Sequence, residues 1–445
     1  MRHRHVSTTH PKLISAAEAA ALVRSGDWLD YGGNVSQPEL FDRALAARAG
    51  ELRDVKVRSC LTLRPHAIVE ADPAGRSFEL YSWHFSTYDR KLHDAGRTHY
   101  IPMNFGEAPD YYRRFVDPPD VVAIRTCPMD EHGYFNFSAS VTYAKALTER
   151  AKLLVVETSP QLPYVYGGEE SVHASEVDYV IEGSDTPLPE LVNPEPTEVD
   201  RTVAKLIASE IEDGACLQIG IGGMPNAVCS VLKDAGHRDL GVHTEMMVDG
   251  MIDLIEAGIV TGARKTLNRF QAVFTFALGS QRLYRFIHRN PRTQSFPVDY
   301  TNLPSQIMQN ERVVAINNTT QIDLQGQAAS ESDGYRHLTG TGGQLQFLRG
   351  AYASKGGKGF LCLSSVYERK GLRKSRIVSA LTPGNIVTTP RTDVMYVVTE
   401  YGFVNLKGKS VPERAKALIG IAHPDFRDGL AREAREKNLV PAHYL

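Results

Sequence analysis

The sequence predicts an α/β protein made of two related, open, doubly wound domains. Two observations carry that prediction: short β-branched runs alternating with amphipathic helical stretches, and an internal echo between the two halves of the chain. Continuous apolar runs bounded by turns and helices mark strands buried on both faces of a largely parallel sheet. In the first half they are Val55–Cys60, Val121–Thr126 and Leu153–Thr158; in the second, Val313–Ile316, Phe360–Ser364, Ile386–Thr389 and Val394–Thr399.

The echo pairs residues 14–40 (ISAAEAAALVRSGDWLDYGGNVSQPEL) with residues 202–226 (TVAKLIASEIEDGACLQIGIGGMPN). Each opens on an Ala-rich helical pattern, passes a glycine, enters a short apolar strand and ends in glycines followed by proline. Gly26 to Gly214 and Gly32 to Gly220 are the same 188 residues apart, and the shared offset favours duplication over coincidence. Residues 184–198 carry four prolines among acidic and polar residues, a composition suited to an extended crossover. The expected domains are therefore 1–197 and 198–445, with ligands expected at carboxyl ends of strands and at the domain interface.

Composition excludes more than it selects. The 445 residues are 42% hydrophobic, and 50 Lys and Arg balance 52 Asp and Glu. Such a balance gives no reason to expect a nucleic acid or an anionic membrane as partner. The five cysteines are scattered, with no C-x-x-C pair, so neither a disulfide framework nor a zinc site is expected. The polar N-terminus lacks the apolar run of a signal peptide, and no stretch approaches the ~18 apolar residues of a membrane span. The expectation is a reduced, cytoplasmic protein without a metal; His3 and His5 read as a surface tail.

Three segments carry chemistry. In Leu217-Gln-Ile-Gly-Ile-Gly-Gly-Met-Pro-Asn226 a strand ends in glycines and a helix follows. Glycine lets a backbone approach a ligand, and a helix N-terminus offers N–H donors to a pyrophosphate or an oxyanion. The motif is G-x-G-G rather than G-x-G-x-x-G, and no acidic ribose partner follows ~20 residues on, which counts against a nicotinamide-dependent dehydrogenase. In Leu240-Gly-Val-His-Thr-Glu-Met-Met-Val-Asp-Gly250, Glu245 falls where a strand's carboxyl end is expected. A partly desolvated carboxylate there can attack a thioester carbonyl; alternatively Glu245 or Asp249 merely caps the helix expected over 250–257. The third segment, Leu338-Thr-Gly-Thr-Gly-Gly-Gln344, places another glycine cluster ahead of an apolar stretch.

These segments resemble the acetyl-CoA hydrolase/transferase family, particularly its 4-hydroxybutyrate and butyryl-CoA:acetate CoA-transferases. Tyr81-Ser-Trp-His-Phe85, Cys127-Pro-Met-Asp-Glu-His-Gly133, Val398-Thr-Glu-Tyr-Gly402 and Ile421-Ala-His-Pro-Asp-Phe-Arg427 resemble family segments too, so the likeness spans nearly the whole chain. It implies CoA-transferase-type (NagB/RpiA-like) domains, with Glu245 as the nucleophile. It further implies coenzyme A contacts at Gly220, Ile221, Gly222, Gly223, Met224 and Gly343, and at Thr320 in the turn 317–320. Gln321 departs from the pattern, where a Glu is expected.

The chemistry so implied is a ping-pong exchange of CoA between short acids such as acetate, butyrate or 4-hydroxybutyrate, through a glutamyl-CoA thioester, with no metal or redox cofactor. Backbone N–H groups of Gly222 and Gly223 are the expected oxyanion donors, and a closed cleft is expected to exclude water. Met246 and Met247 read as pocket walls or as ordinary core. His84, His132 and His243 are minor candidates for proton movement, while Cys127 and Cys216 read as buried side chains. The alternatives are an itaconate- or succinate-type transferase, for which Arg64, Arg90 and Arg349 are the cations to inspect, an acyl-CoA hydrolase, and a non-catalytic CoA-ester sensor. A homodimer or homotetramer is expected on general grounds.

Overall fold

The computed structural model describes residues 11–191, 194–220, 222–369, 371–441 and 443–444; His3, His5 and Ile221 lie outside them. The chain forms two compact units. One comprises Met1–Leu191, Glu245–Met247 and Val273–Thr301; the other comprises Val192–Thr244, Val248–Ala272 and Asn302–Leu445. Relative to a single cut at residue 197, the first unit gains two segments from the second half of the sequence, and one of them holds Glu245.

The first unit is built on an eight-stranded sheet in the order Lys12–Leu13, Tyr179–Ile181, Leu153–Thr158, Val121–Thr126, Trp28–Gly33, Val55–Cys60, Phe78–Ser82, Thr98–Tyr100. Every neighbouring pair is parallel. The chain runs outward from Trp28–Gly33 in one direction and then returns to Val121–Thr126 to run outward in the other. Crossovers that run outward in opposite directions place helices on both faces, so the sheet is doubly wound and its central strands are largely buried, charged residues included. Leu29, Val55, Val57, Leu80 and Ala123 belong to a core that also takes in Phe41 and Leu45 of the helix Leu40–Ala46.

The second unit repeats the plan on six strands: Gly241–Val242, Cys216–Ile219, Val313–Asn318, Lys358–Cys362, Tyr396–Thr399 and Gly402–Asn405. All pairs are parallel except the last, a hairpin. Here the winding reverses between Cys216–Ile219 and Val313–Asn318. The duplicated glycines do equivalent work: Gly26 (φ +85°) donates to the Arg53 carbonyl and Gly214 (φ +76°) to the Arg238 carbonyl, each at 2.9 Å. The residue after each arginine, Asp54 or Asp239, has φ +55°.

One expected strand is absent. Residues 386–389 contribute only an isolated bridge from Thr389 to Ala328, and Ile386 and Val387 are 42% and 40% exposed. Pro383-Gly384 and Pro390 bracket this stretch, and proline and glycine weaken the ladder that a β-branched run would otherwise join.

Candidate functional site

In the second unit the strand Cys216–Ile219 runs into Gly220, whose N–H still reaches the Ile316 carbonyl at 3.2 Å. Gly222 then takes φ +120°, ψ −178°, a backbone that only glycine adopts without strain, and the twelve-residue helix Gly223–Asp234 starts behind it. No side chain caps that helix, so its first-turn N–H groups face outward at the positive end of the helix dipole. Beside it lies a cavity of about 330 Å³ lined by Gly223, Met224, the turn Asn318-Thr319-Thr320, Ser330, Ser364 and Arg376. Among the described residues that line it, Arg376 is the one cation and Asp200 the one acid. The Asp200 carboxylate is engaged by the Thr197 N–H and hydroxyl, at 2.8 and 2.7 Å.

Of the residues expected at coenzyme A, the structure brings Gly223, Met224 and Thr320 to this cavity. Gly220 and Gly222 end the strand and start the helix without lining it. The Thr320 hydroxyl donates to the Ala329 carbonyl at 2.7 Å, which fixes the turn. Gly343 is the residue flanking the helix Gln344–Ala353, and its neighbour Gln344 makes the connection: its amide donates to Ser330 Oγ at 2.9 Å, and Ser330 donates to Thr319 Oγ1 at 3.1 Å. Gln321 is also explained. Its amide donates to Thr382 Oγ1 and accepts from Thr382 N and Asn385 Nδ2, a role that a glutamate could not fill on the donor side.

In the first unit Glu245 is half-buried, and its backbone is held on one side by a strand. Its carbonyl accepts from Thr275 N at 3.0 Å and Phe276 N at 3.3 Å. Met246 and Met247 follow as a two-residue strand in parallel register with Phe276 and Ala277. That strand is secured from its far side by Val141 N to Thr275 O and Ala277 N to Ala139 O, at 3.1 and 2.8 Å. The following helix, Asp249–Glu256, starts behind Val248 and carries Asp249 in its first turn. Met246 and Met247 are buried to 6% and 0% exposure.

The Glu245 carboxylate lies close enough to Cys60 to help hold that thiol well above its ordinary pKa, after burial and Asp89. Cys60 ends the strand Val55–Cys60, so Glu245 stands at the carboxyl edge of the large sheet. Aromatic rings gather there: Phe105 packs edge-on against Phe276 and Tyr143, Trp83 against Tyr143, and Tyr143 stacks on Tyr112 at 5.2 Å. Behind them Tyr112 donates a short hydrogen bond to Asp30. Burial lifts the Asp30 carboxyl to about 7, against the pull of Arg58 and Tyr112. Asp30 and Arg58 escaped the sequence reading; charged residues inside β-branched or aromatic runs (Trp-Leu-Asp30-Tyr, Val-Lys-Val-Arg58) were the available signal.

The remaining candidates separate cleanly. Burial, with a smaller push from Arg90, lowers His84 to about 4, so it is neutral near pH 7. His132 lies on the surface beside Glu131, and His243 is buried in the second unit. Cys127 and Cys216 are pushed up by burial to about 12 and about 11, which leaves them as inert thiols. Arg90 donates to Thr87 Oγ1 and Arg349 grips Asp393 with two nitrogens. Arg64 lines a first-unit cavity of about 400 Å³ with Asn34, Gln37, His66 and Arg125, and both arginines turn to Glu39.

Comparison with known proteins gives a consistent family. The model of the acetyl-CoA hydrolase/transferase N-terminal domain matches residues 1–191, and that of the C-terminal domain matches 279–434. The chain is similar to butyryl-CoA:acetate CoA-transferase of Anaerostipes caccae, 44% identical over 96% of this chain and 97% of that one. It is equally similar, at 44% identity over 96% of each, to succinyl-CoA:cyclohexane-1-carboxylate CoA transferase of Geobacter metallireducens. Among solved structures, RipA from Yersinia pestis superposes with a TM-score of 0.89 at 39% identity, covering 96% of this chain and 98% of that one.

Proposed function

Since this chain belongs to the acetyl-CoA hydrolase/transferase family and is a CoA-transferase, we propose that it exchanges CoA between an acyl-CoA and a short monocarboxylate such as acetate, butyrate or 4-hydroxybutyrate, with Glu245 as nucleophile. The observation that carries the reading is a glutamate whose backbone is fixed by two hydrogen bonds at the carboxyl edge of a sheet, beside a buried thiol and aromatic rings. An apolar surround of this kind is what a water-sensitive glutamyl thioester requires.

The sequence of steps balances without any further reagent. The Glu245 carboxylate attacks the thioester carbonyl, forming a mixed anhydride and expelling CoA thiolate. The thiolate attacks the glutamyl carbonyl, giving a Glu245–CoA thioester and releasing the first acid. A second carboxylate attacks that thioester, and the expelled thiolate then takes the acyl group, leaving Glu245 free. Gly220 to Met224, the turn at Thr320 and the segment at Gly343 are proposed to hold CoA, with Arg376 added as the cation for a phosphate. The preference for a monocarboxylate is supported by the pairing of Arg64 with Glu39 and of Arg349 with Asp393, since a second carboxylate would need a cation not already engaged.

At the level of sequence, domains 1–197 and 198–445 remain part of the proposal, supported by a first family model that ends at 191. So do a cytoplasmic setting, for which five free and buried cysteines speak, and assembly as a homodimer or homotetramer. The deciding experiment incubates the protein with butyryl-CoA and no acceptor, then weighs the intact chain and its peptides. A CoA-sized increment on the Glu245 peptide, discharged by acetate, is the expected result. Steady release of free CoA without an adduct would make the protein a hydrolase, and no turnover of any short acyl-CoA would overturn the reading.

A further inference from the structure

Lys265 is a buried cation that the proposed chemistry does not use. It is 3% exposed, and its ammonium donates to two backbone carbonyls, Val242 at 2.9 Å and Gln271 at 2.7 Å. Its aliphatic stem crosses Gly241 so closely that a Cβ there would fall 2.4 Å from Lys265 Cγ; a glycine at 241 is what admits it. The titratable group acting on it is the Cys216 thiol, held neutral by burial at about 11. On its own loop Arg264 turns instead to Asp239, at 3.2 Å. An ammonium buried against carbonyls and a neutral thiol is costly.

The two carbonyls it joins are the last before a pair of crucial segments. From Val242 the chain runs through His243 and Thr244 to Glu245. From Gln271 it runs through the strand Ala272–Phe274 to Thr275 and Phe276, whose N–H groups hold the Glu245 carbonyl. We propose that Lys265 is a positioning residue for the nucleophile: by tying Val242 to Gln271 it sets the register in which Glu245 meets Thr275 and Phe276. The inference rests on the reading of Glu245 as nucleophile.

Burial depresses Lys265 to about 8, so the clamp is an ammonium below that pH and a weaker-donating amine above it. A folded pKa below the unfolded value means that the unfolded chain binds the extra proton between about 8 and ~10.4. The contribution of Lys265 to stability therefore rises with pH across that window, while its grip on the two carbonyls weakens. Activity and stability move in opposite directions, which a purely structural lysine would not produce.

The test compares the full-length protein with Lys265→Met and Lys265→Arg, reading kcat, KM for butyryl-CoA and thermal unfolding from pH 6 to 10. In Lys265→Met, kcat is expected to fall about 10- to 100-fold with KM within about twofold, the scale of a small misplacement of a reacting group. The wild type should lose kcat above pH 8, and Lys265→Arg, charged throughout, should not. The proposal is overturned if Lys265→Met turns over within twofold of wild type or if Lys265→Arg keeps the alkaline loss. Should neither variant fold, a wild-type kcat that is flat from pH 7 to 10 overturns it. Failure of the wild type to form a Glu245–CoA adduct is a separate result, and sinks the nucleophile reading instead.

Discussion

The two places where the sheets reverse their winding are built on one plan and finished differently. In the first unit the helix Leu40–Ala46 begins against a strand acid: Glu157 accepts from the N–H groups of Glu39, Leu40 and Phe41 at 2.9, 2.9 and 3.0 Å. In the second unit the corresponding helix, Gly223–Asp234, has no side-chain cap and opens on a cavity with Arg376 in its wall. One half thus caps its helix with an acid, while in the other the acid nearest the helix start, Asp200, is engaged by Thr197. The contrast teaches how two units on one plan divide labour: the first turns inward to buried charge, tyrosines and the proposed nucleophile, and the second presents backbone donors and hydroxyls.

The comparison breaks most visibly at Glu245, the group with no counterpart in the echo. Glu245→Ala is expected to lose at least about 10⁴-fold in kcat and all adduct, because a covalent route has no partial substitute. Retention of more than a hundredth of wild-type turnover would move the nucleophile elsewhere. Asp30 tests the buried half next. Its folded pKa of about 7 exceeds the unfolded value near 4, so the folded state holds a proton that the unfolded chain releases. Stability from this group is full below pH 4 and is lost as pH rises through about 7, a change on the order of 4 kcal/mol. Asp30→Asn should flatten that slope in urea unfolding at pH 5 and pH 7.5. Equal slopes in the two proteins would mean that Asp30 ionises normally beside Arg58.

Glu157 sharpens the capping half of the comparison. Glu157→Gln replaces one acceptor oxygen by a donor that faces N–H groups, and is expected to cost about 2–3 kcal/mol in thermal or urea unfolding. A cost below about 0.5 kcal/mol would show that the cap is dispensable. Asp30 and Glu157 also mark the limit of what could be read from the chain alone. The strands that contain or adjoin them were legible because Val55–Cys60, Val121–Thr126 and Leu153–Thr158 are apolar, β-branched runs, and the structure gives each those same ends. What such a pattern does not say is which acid inside a run is paired. Nor could any local pattern show that residues 245–247 leave the second unit to pair with 276–277, since that pairing is decided by partners about thirty residues further along the chain. Lys265 escaped for the same reason: its carbonyl partners are backbone groups, which leave no mark in the sequence.

The smallest expected effect tests the open half. If the uncapped helix and Arg376 hold a phosphate of CoA where Glu157 serves the first unit, Arg376→Met should raise KM for butyryl-CoA about tenfold, equivalent to about 1.4 kcal/mol. The turnover number should hold, since Arg376 touches no reacting atom in this scheme. A butyryl-pantetheine thioester, which lacks every phosphate, should serve wild type and Arg376→Met equally well, however poorly. Loss on both substrates would place Arg376 in the support of the turn at Thr320, where its backbone carbonyl already accepts from Ile322 N at 2.9 Å. Loss on neither would return the helix N-terminus to a structural feature, and the parallel with Glu157 would end at the fold.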